Sequence, residues 1–388
     1  MPPGIFGPIH LLDMGYSVCK YSAIHVGGPM TTTCPPTDNH LSKPMKHTKR
    51  KLAGLALASS LILATAASAK IAVGDYVDLS GYVGASARYQ KTDRDQGVAD
   101  DDSAKLDLDA VKLSADIKYN ALSAKVSAFM PGSTLDEFNS DDIFITEAYL
   151  SYDFGNGYTV SGGRFLSWIG YEAFDLDQQW SLESGLGDMS YLVPNFHNGV
   201  RVQYTSGKIT LGAALLDSVY NGEDAYTGDA DVRNGLGGEF MIRYQDEAFS
   251  FGTTLAVEKN TDADYSRYTA DLWAQYYLAN TKTTFGAEFI YGRWSFKNTP
   301  SDTVDYAVMV SARQPIMERL SVAGSVAFGK GESAGMTDMR YQKVAVAPTY
   351  VLSENLEARA EVSWTNYDRA YTSAKDRYFA GVQMVFKF

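Results

Sequence analysis

From Asp75 onward the chain alternates. In 76–90 the odd positions Val77, Leu79, Val83, Ala85, Ala87 and Tyr89 are mostly apolar, while the even positions Asp78, Ser80, Ser86 and Arg88 are mostly polar. Successive side chains of an extended strand point to opposite faces, so a period of two predicts a strand with one apolar and one wet face. The pattern recurs over about 104–119, 121–130, 143–154, 157–166, 197–206, 208–217, 235–246, 248–258, 267–279, 282–295, 304–313, 319–329, 339–351, 355–366 and 376–388. About sixteen strands follow, an even number, as closed single-chain barrels of bacteria require.

The links between these segments alternate between short and long. Tight turns are predicted at Asn120, Gly155-Asn156-Gly157, Gly207, near Glu247, at Asn280-Thr281, near Gln314-Pro315 and at Ser353-Glu354, with long links between them. Short periplasmic turns and longer external loops give a transmembrane barrel this rhythm. The long links carry much of the acid: Asp100-Asp101-Asp102, Asp136-Glu137, Asp141-Asp142, Glu223-Asp224, Asp229 and Asp231. They read as solvated loop residues, since no spacing among them fits an EF-hand.

The polarity of the two faces separates a membrane barrel from a soluble sandwich or propeller. Many strands carry Lys, Arg, Glu and Gln on the wet face, which must line something large, and sixteen strands enclose a water-filled lumen. Tyr89, Tyr119, Tyr158, Tyr204, Tyr244, Tyr276, Tyr291 and Tyr350 lie near strand ends, where interfacial girdles belong. No blade-length repeat supports a propeller. The fold class is therefore all-β, a transmembrane antiparallel up-and-down barrel.

The first 69 residues do not take part in this pattern. Met45-Lys46-His47-Thr48-Lys49-Arg50-Lys51 is basic, Leu52 to about Ala66 is apolar, and Ala67-Ser68-Ala69 supplies small residues for cleavage. That is a secretory signal, too short in its apolar run to span a bilayer. Residues 1–44 then form a non-structural extension upstream of the start at Met45, 45–69 the signal peptide, and 70–388 the barrel. The prefix holds six basic and two acidic residues, so its removal takes the formal net charge from −12 to −16. A surface so acidic is no partner for nucleic acid. Both cysteines, Cys19 and Cys34, are lost with the prefix, and His197 is the one histidine left. No thiolate nucleophile, disulfide framework or Cys/His metal site is available, and no cofactor is called for.

The last strand ends in Tyr378, Ala380, Val382, Met384, Phe386 and Phe388, an apolar stripe of even positions closing on an aromatic. With Phe386 and Phe388 in this place, the terminus resembles the assembly signal of Gram-negative outer-membrane proteins. Signal peptide, strand count and a long third loop together resemble bacterial porins, in particular the OmpL-like β-barrel porins. The resemblance spans the whole mature chain. It implies a location in the outer membrane of a Gram-negative bacterium. The partners implied are outer-membrane lipid and lipopolysaccharide, the barrel-assembly machinery, and small hydrophilic solutes and ions. It also admits a homotrimer.

The third long link, about 167–196, is the longest interval without alternation. It mixes Glu172, Asp175, Asp177, Glu183 and Asp188 with Trp168, Tyr171, Phe174, Trp180 and Tyr191. An irregular stretch of this length is functional or disordered, and its aromatics argue for order. A long external loop can fold back into the lumen, which makes these five acids candidate constriction residues. Reading parity along the strands places Lys112, Lys125, Arg201, Arg243 and Arg359 on the wet face, with Glu147, Glu239, Glu288, Glu357 and Glu361. The loop acids are expected to face Lys112, Lys125, Arg201 and Arg359. Opposite charges on facing walls would set up a transverse field; opposite charges on neighbouring strands would neutralise each other. Gly162-Gly163 can hold a bulge, which leaves the face of Arg164 open.

Catalysis rests on His197 alone. It precedes Asn198-Gly199-Val200, with no serine two residues on to share its strand face, so it reads as a loop-to-strand histidine near the outer rim. Gly235-Leu236-Gly237-Gly238 opens a strand and not a helix, which excludes a phosphate loop. The function expected is passive diffusion of ions and small hydrophilic solutes, without enzymatic activity. The alternatives are a substrate-selective channel of the same fold, an outer-membrane phospholipase or protease, and a surface-binding protein. The exported protein is expected to begin at Lys70, which mass spectrometry of the membrane-associated product checks.

Overall fold

The computed structural model describes residues 70–95, 98–132, 143–220, 235–260, 265–297, 302–333, 335–369 and 373–388. The expected signal peptide over 45–69, the expected extension over 1–44, and Asp136-Glu137, Asp141-Asp142, Glu223-Asp224, Asp229 and Asp231 lie outside the described residues.

The strands are β1 (Ile71–Val73), β2 (Val77–Arg94), β3 (Asp101–Tyr119), β4 (Leu122–Pro131), β5 (Phe144–Gly155), β6 (Tyr158–Leu166), β7 (Phe196–Ser206), β8 (Ile209–Leu216) and β9 (Gly235–Gln245). They continue as β10 (Phe249–Asn260), β11 (Tyr265–Leu278), β12 (Thr283–Phe296), β13 (Thr303–Met317), β14 (Leu320–Ser333), β15 (Met336–Ser353), β16 (Leu356–Arg369) and β17 (Ala374–Lys387). From β2 to β17 each strand pairs antiparallel with the next, and β17 returns to β2, so sixteen strands close a barrel. Closure leaves no open edge, as hydrocarbon requires of any spanning sheet. The short β1 was not foreshadowed by the alternation. It pairs with 77–79 of β2, on the edge that β17 leaves uncovered beyond Phe388.

All sixteen long strands coincide, within a few residues, with the alternating segments. One turn differs: the β13–β14 connection is at Glu318-Arg319 and not at Gln314-Pro315. Pro315 stays inside β13, close to its end, where the register shifts between Pro315 and Met317. A proline donates no ladder hydrogen bond, and a strand tolerates it at such an irregularity. In the tight turns Asn120 (φ 55°) and Asn156 (φ 53°) take the left-handed conformation that asparagine tolerates, followed in the second by Gly157.

The two faces are chemically distinct. On β15, Tyr341, Lys343, Ala345, Ala347 and Thr349 are buried, while Val344, Val346 and Tyr350 between them are exposed. Leu113, Leu150, Leu215, Phe240, Leu272 and Val382 continue that exposed apolar face around the wall. A belt of this extent is stable against lipid and not against water. Near the short turns it is edged by aromatics, with Tyr158 and Tyr204 at 4.5 Å between ring centroids and Tyr244 stacked on Phe251 at 5.7 Å. Tyr119, Tyr276 and Tyr350 lie at that same end, and Tyr89 and Tyr291 toward the other. Arg164 is settled by register: pairing runs unbroken through 158–166 against β7, and Ser161 and Phe165 are both buried, so Arg164 lies on the outer face.

The seam is finished by the last residue. Phe388 and Gly81 exchange backbone hydrogen bonds of 2.9 and 3.0 Å, and a Cβ on Gly81 would lie 2.3 Å from the Lys112 carbonyl and 2.8 Å from the Phe388 ring. Deleting Phe388 removes both bonds, each worth about 0.5–1.5 kcal/mol net. The deletion is expected to lower the urea midpoint of the folded barrel and leave conductance per inserted channel unchanged; urea unfolding and planar-bilayer recording check the two halves.

Candidate functional site

Residues 167–195 contain two short 3-10 turns, Leu176–Gln178 and Gly187–Leu192, joined by irregular chain. What fixes this irregular path is a set of wall carboxylates receiving its backbone N–H groups. Ser167 Oγ donates to Glu239 at 2.9 Å and Trp168 N to the other Glu239 oxygen at 3.4 Å. Gly170 N donates to Asp271 at 2.9 Å, and Tyr171 N to Glu288 at 3.0 Å. Further along, Leu182 N and Glu183 N share one oxygen of Glu361 at 2.6 and 3.0 Å. Glu239, Asp271, Glu288 and Glu361 are nearly fully buried, so these hydrogen bonds form in a poorly hydrated setting where they are strong.

The acids of the interval point back at the wall. Asp175 meets Lys112 of β3 at 2.7 Å and accepts from the Tyr82 hydroxyl of β2 at 3.3 Å. Arg359 of β16 donates to the Leu176 carbonyl. Glu183 meets Lys343 of β15 at 3.1 Å and accepts from Ser363 Oγ at 3.0 Å. Asp188 meets Arg377 of β17 at 3.0 Å and the Tyr367 hydroxyl at 2.6 Å. Glu172 turns inward on its own segment, accepting from Ser184 Oγ at 2.8 Å and Gly185 N at 2.8 and 2.9 Å to its two oxygens. Asp177 lies in the first 3-10 turn. The interval is thus fastened to β9, β11 and β12 at one end and to β2, β3 and β15–β17 at the other. In the closed order of strands, β9 and β2 are nearly opposite.

Apolar contacts complete the fastening. Leu186, Met189 and Leu192 are almost wholly buried against Ile290, Ala307 and Met309 of the wall. The wall carries small residues where the interval approaches: a Cβ on Gly84 would lie 2.7 Å from Leu176, and one on Gly292 2.7 Å from Leu192. Gly170 has a φ of 104°, closed to ordinary side chains, and a Cβ there would strike Val193 at 2.7 Å.

The basic residues of the wall divide between the interval and the wall itself. Lys112 does face Asp175, but Lys125 pairs with Glu147 at 3.0 Å, and Arg359 pairs with Glu357. Arg201 lies 4.2 Å from the Phe165 ring centroid and makes no ion pair among the described residues. Lys343 and Arg377, which parity also places on the inner face, are the cations that hold Glu183 and Asp188. Lys112 joins Lys125 on Glu147 at 3.3 Å. Opposite charges in these wall pairs therefore sit on one strand or within two strands of each other, and not on facing walls.

His197 is buried in the wall, its Nε2 3.0 Å from Glu239 Oε1. Ser167 Oγ donates to that same carboxylate, so Glu239 lies between serine and histidine. A histidine acting as general base must face the hydroxyl it deprotonates. This arrangement instead uses all three groups to hold the root of the interval. Among the described residues no cluster of His, Cys, Asp or Glu fits a metal ion.

Burial pushes the Glu172 carboxyl above the usual carboxylate range, against the donors at Gly185 and Ser184. Burial acts the same way on Glu183, but Lys343 and Arg377 outweigh it and hold the group below that range. A depressed folded value stabilises above the unfolded value and is lost as pH falls through the folded one. Lowering the pH from about 6 to about 3, across the ordinary glutamate value, is expected to lower wild-type stability. Lys343→Met is expected to blunt that acid dependence and to lower stability at neutral pH; urea unfolding across the pH series checks both.

A family model described as "Putative beta-barrel porin-2, OmpL-like" matches residues 76–388. No curated protein matches the chain. Among solved structures, the anion-selective porin from Comamonas acidovorans superposes with a TM-score of 0.60 at 15% identity, over 80% of this chain and 99% of that one. The trimer form of OmpT, an outer membrane protein of Vibrio cholerae, gives 0.57 at 12% identity over 80% and 99%. The outer membrane channel DcaP of Acinetobacter baumannii gives 0.57 at 15% identity over 80% and 97%. At such identities these likenesses concern the fold.

Proposed function

The chain belongs to the OmpL-like β-barrel porin-2 family and is an outer-membrane porin, and from that premise we propose that residues 167–195 are its constriction. The observation that carries the proposal is the fastening of this interval to inner-face groups of strands nearly opposite in the ring, from Glu239 on β9 to Lys112 on β3. An unobstructed barrel of sixteen strands is too wide to discriminate small solutes. A segment held across it leaves narrower passages lined by charged and hydroxyl side chains, through which ions and small hydrophilic solutes pass down their gradients. No catalytic step is assigned, since the buried His197 does not face a nucleophile.

Glu172, Asp175, Asp177, Glu183 and Asp188 act in this reading as fasteners of the constriction. The basic residues Lys112, Lys125, Arg201, Arg243 and Arg359 line the wall it is fastened to or the space beside it. Phe386 and Phe388 serve insertion through the barrel-assembly machinery, after export behind a cleaved signal peptide. The Vibrio OmpT neighbour is described as a trimer form, which supports a homotrimer in lipid and lipopolysaccharide for this chain as well.

Recording the purified protein in a planar bilayer tests the reading: stepwise conductance is expected. Deleting residues 172–190 is expected to raise the size of each step, because the passage widens. Steps of unchanged size in the deletion would place the interval outside the conducting path.

A further inference from the structure

The wall beside the root of the constriction contains two guanidinium groups that make no ion pair among the described residues. We propose that Arg201 on β7 and Arg243 on β9 form a resting site for small oxyanions, carboxylates or phosphates, on the short-turn side of the constriction. The proposal rests on the porin reading and deepens it by naming the class of solute.

Trp168 lies between the two groups. The Arg201 guanidinium stands 4.2 Å from the centroid of Phe165, 5.2 Å from Tyr149 and 5.7 Å from Trp168. Arg243 Nη2 donates to the Trp168 carbonyl at 3.3 Å, two residues before the end of β9 at the turn. The Nε atoms of both arginines are buried without a hydrogen-bond partner. Neither makes an ion pair among the described residues, and Arg313, 6.0 Å from the Trp180 ring, makes none either.

The reason lies in the carboxylates nearby. Glu239 stands on the same strand as Arg243, and its oxygens are committed to His197, Ser167 and the Trp168 amide. Asp271 on β11 accepts from Gly170 N with one oxygen. The amides of the constriction thus take the acids that would otherwise pair with Arg201 and Arg243. Elsewhere around the constriction the balance differs: Asp175, Glu183 and Asp188 have Lys112, Lys343 and Arg377, and Glu147 and Glu357 have lysine or arginine beside them.

Aromatic rings fix the Arg201 plane, and the Trp168 carbonyl fixes that of Arg243. Both are held with free N–H groups and little rotamer entropy to lose. That is the preorganised state in which a guanidinium binds a planar carboxylate or a phosphate through paired N–H···O bonds. Phe165 and Trp168 are buried, so no aromatic face is left over for the solute. Recognition is confined to the anionic group, which favours small solutes over those with a large apolar body.

The test uses the purified full-length barrel in a planar bilayer with potassium chloride as carrier. Inorganic phosphate and succinate are added in separate runs from the short-turn side, one for each source of oxyanion. Both, or either, are expected to reduce the chloride-carried current reversibly. In the R201Q/R243Q double variant the half-blocking concentration is expected to rise about tenfold, the loss of one charge-assisted contact. R319Q, which removes an equal charge from the exposed β13–β14 turn, is expected to block like the wild type. Wild-type current unaffected by either oxyanion would overturn the site without any variant being needed. So would a block that survives in R201Q/R243Q or weakens equally in R319Q. A protein that passes no current would overturn the porin reading itself.

Discussion

The interaction on which the interior depends is the one between wall carboxylates and loop amides. A buried backbone N–H must find an acceptor, and irregular chain supplies its own only in part. Glu239, Asp271, Glu288 and Glu361 project from four strands and meet Ser167, Trp168, Gly170, Tyr171, Leu182 and Glu183. Each carboxylate takes up an otherwise unsatisfied donor while the donor takes up an otherwise costly buried charge. The 3-10 turns, the apolar plug of Leu186, Met189 and Leu192, and the ion pairs at the far end all lie between or beyond these fixed points.

That division of acceptors sets the electrostatic character of the wall. Acids bound to amides are removed from competition for cations, so Arg201 and Arg243 near the root make no ion pair among the described residues while Lys112, Lys343 and Arg377 at the far side are matched. Lys112 is shared between Glu147 and Asp175. Lys343 both pairs with Glu183 and donates to the Ser184 carbonyl at 2.8 Å. The same residue types therefore pair with acids of the segment at one side and not at the other, and the path of the backbone decides which.

The strands were legible in the sequence because their signal is local: a period of two reports the two faces of each segment without knowledge of its neighbours. Parity likewise puts Lys112, Glu147, Glu239, Glu288, Arg359 and Glu361 on the wet face, and the structure buries all six. Pro315 misled, since a proline reads as a breaker while an irregular strand end accepts it. The pair Asp175–Lys112 was within reach of charge matching; Glu183–Lys343 and Asp188–Arg377 were not, because they depend on where the chain goes after Asp175. The role of Glu239, Asp271 and Glu361 had no signature at all, since what they bind is main-chain amide, which every residue but proline presents.

The pairing of Gly81 with Phe388 has a kinetic side. It joins the start of the first long strand to the end of the last one, so the contact that closes the sheet spans nearly the whole barrel, from 81 to 388. Contacts of such sequence separation form late and slowly, because the intervening chain must first be ordered. Until then β2 and β17 each present an open edge, and an open edge pairs with whatever strand it meets, including one from another nascent chain. The chain must therefore be kept apart from its own copies from export until the final residue is in place, and any delay in reaching that residue lengthens the time in which it can aggregate.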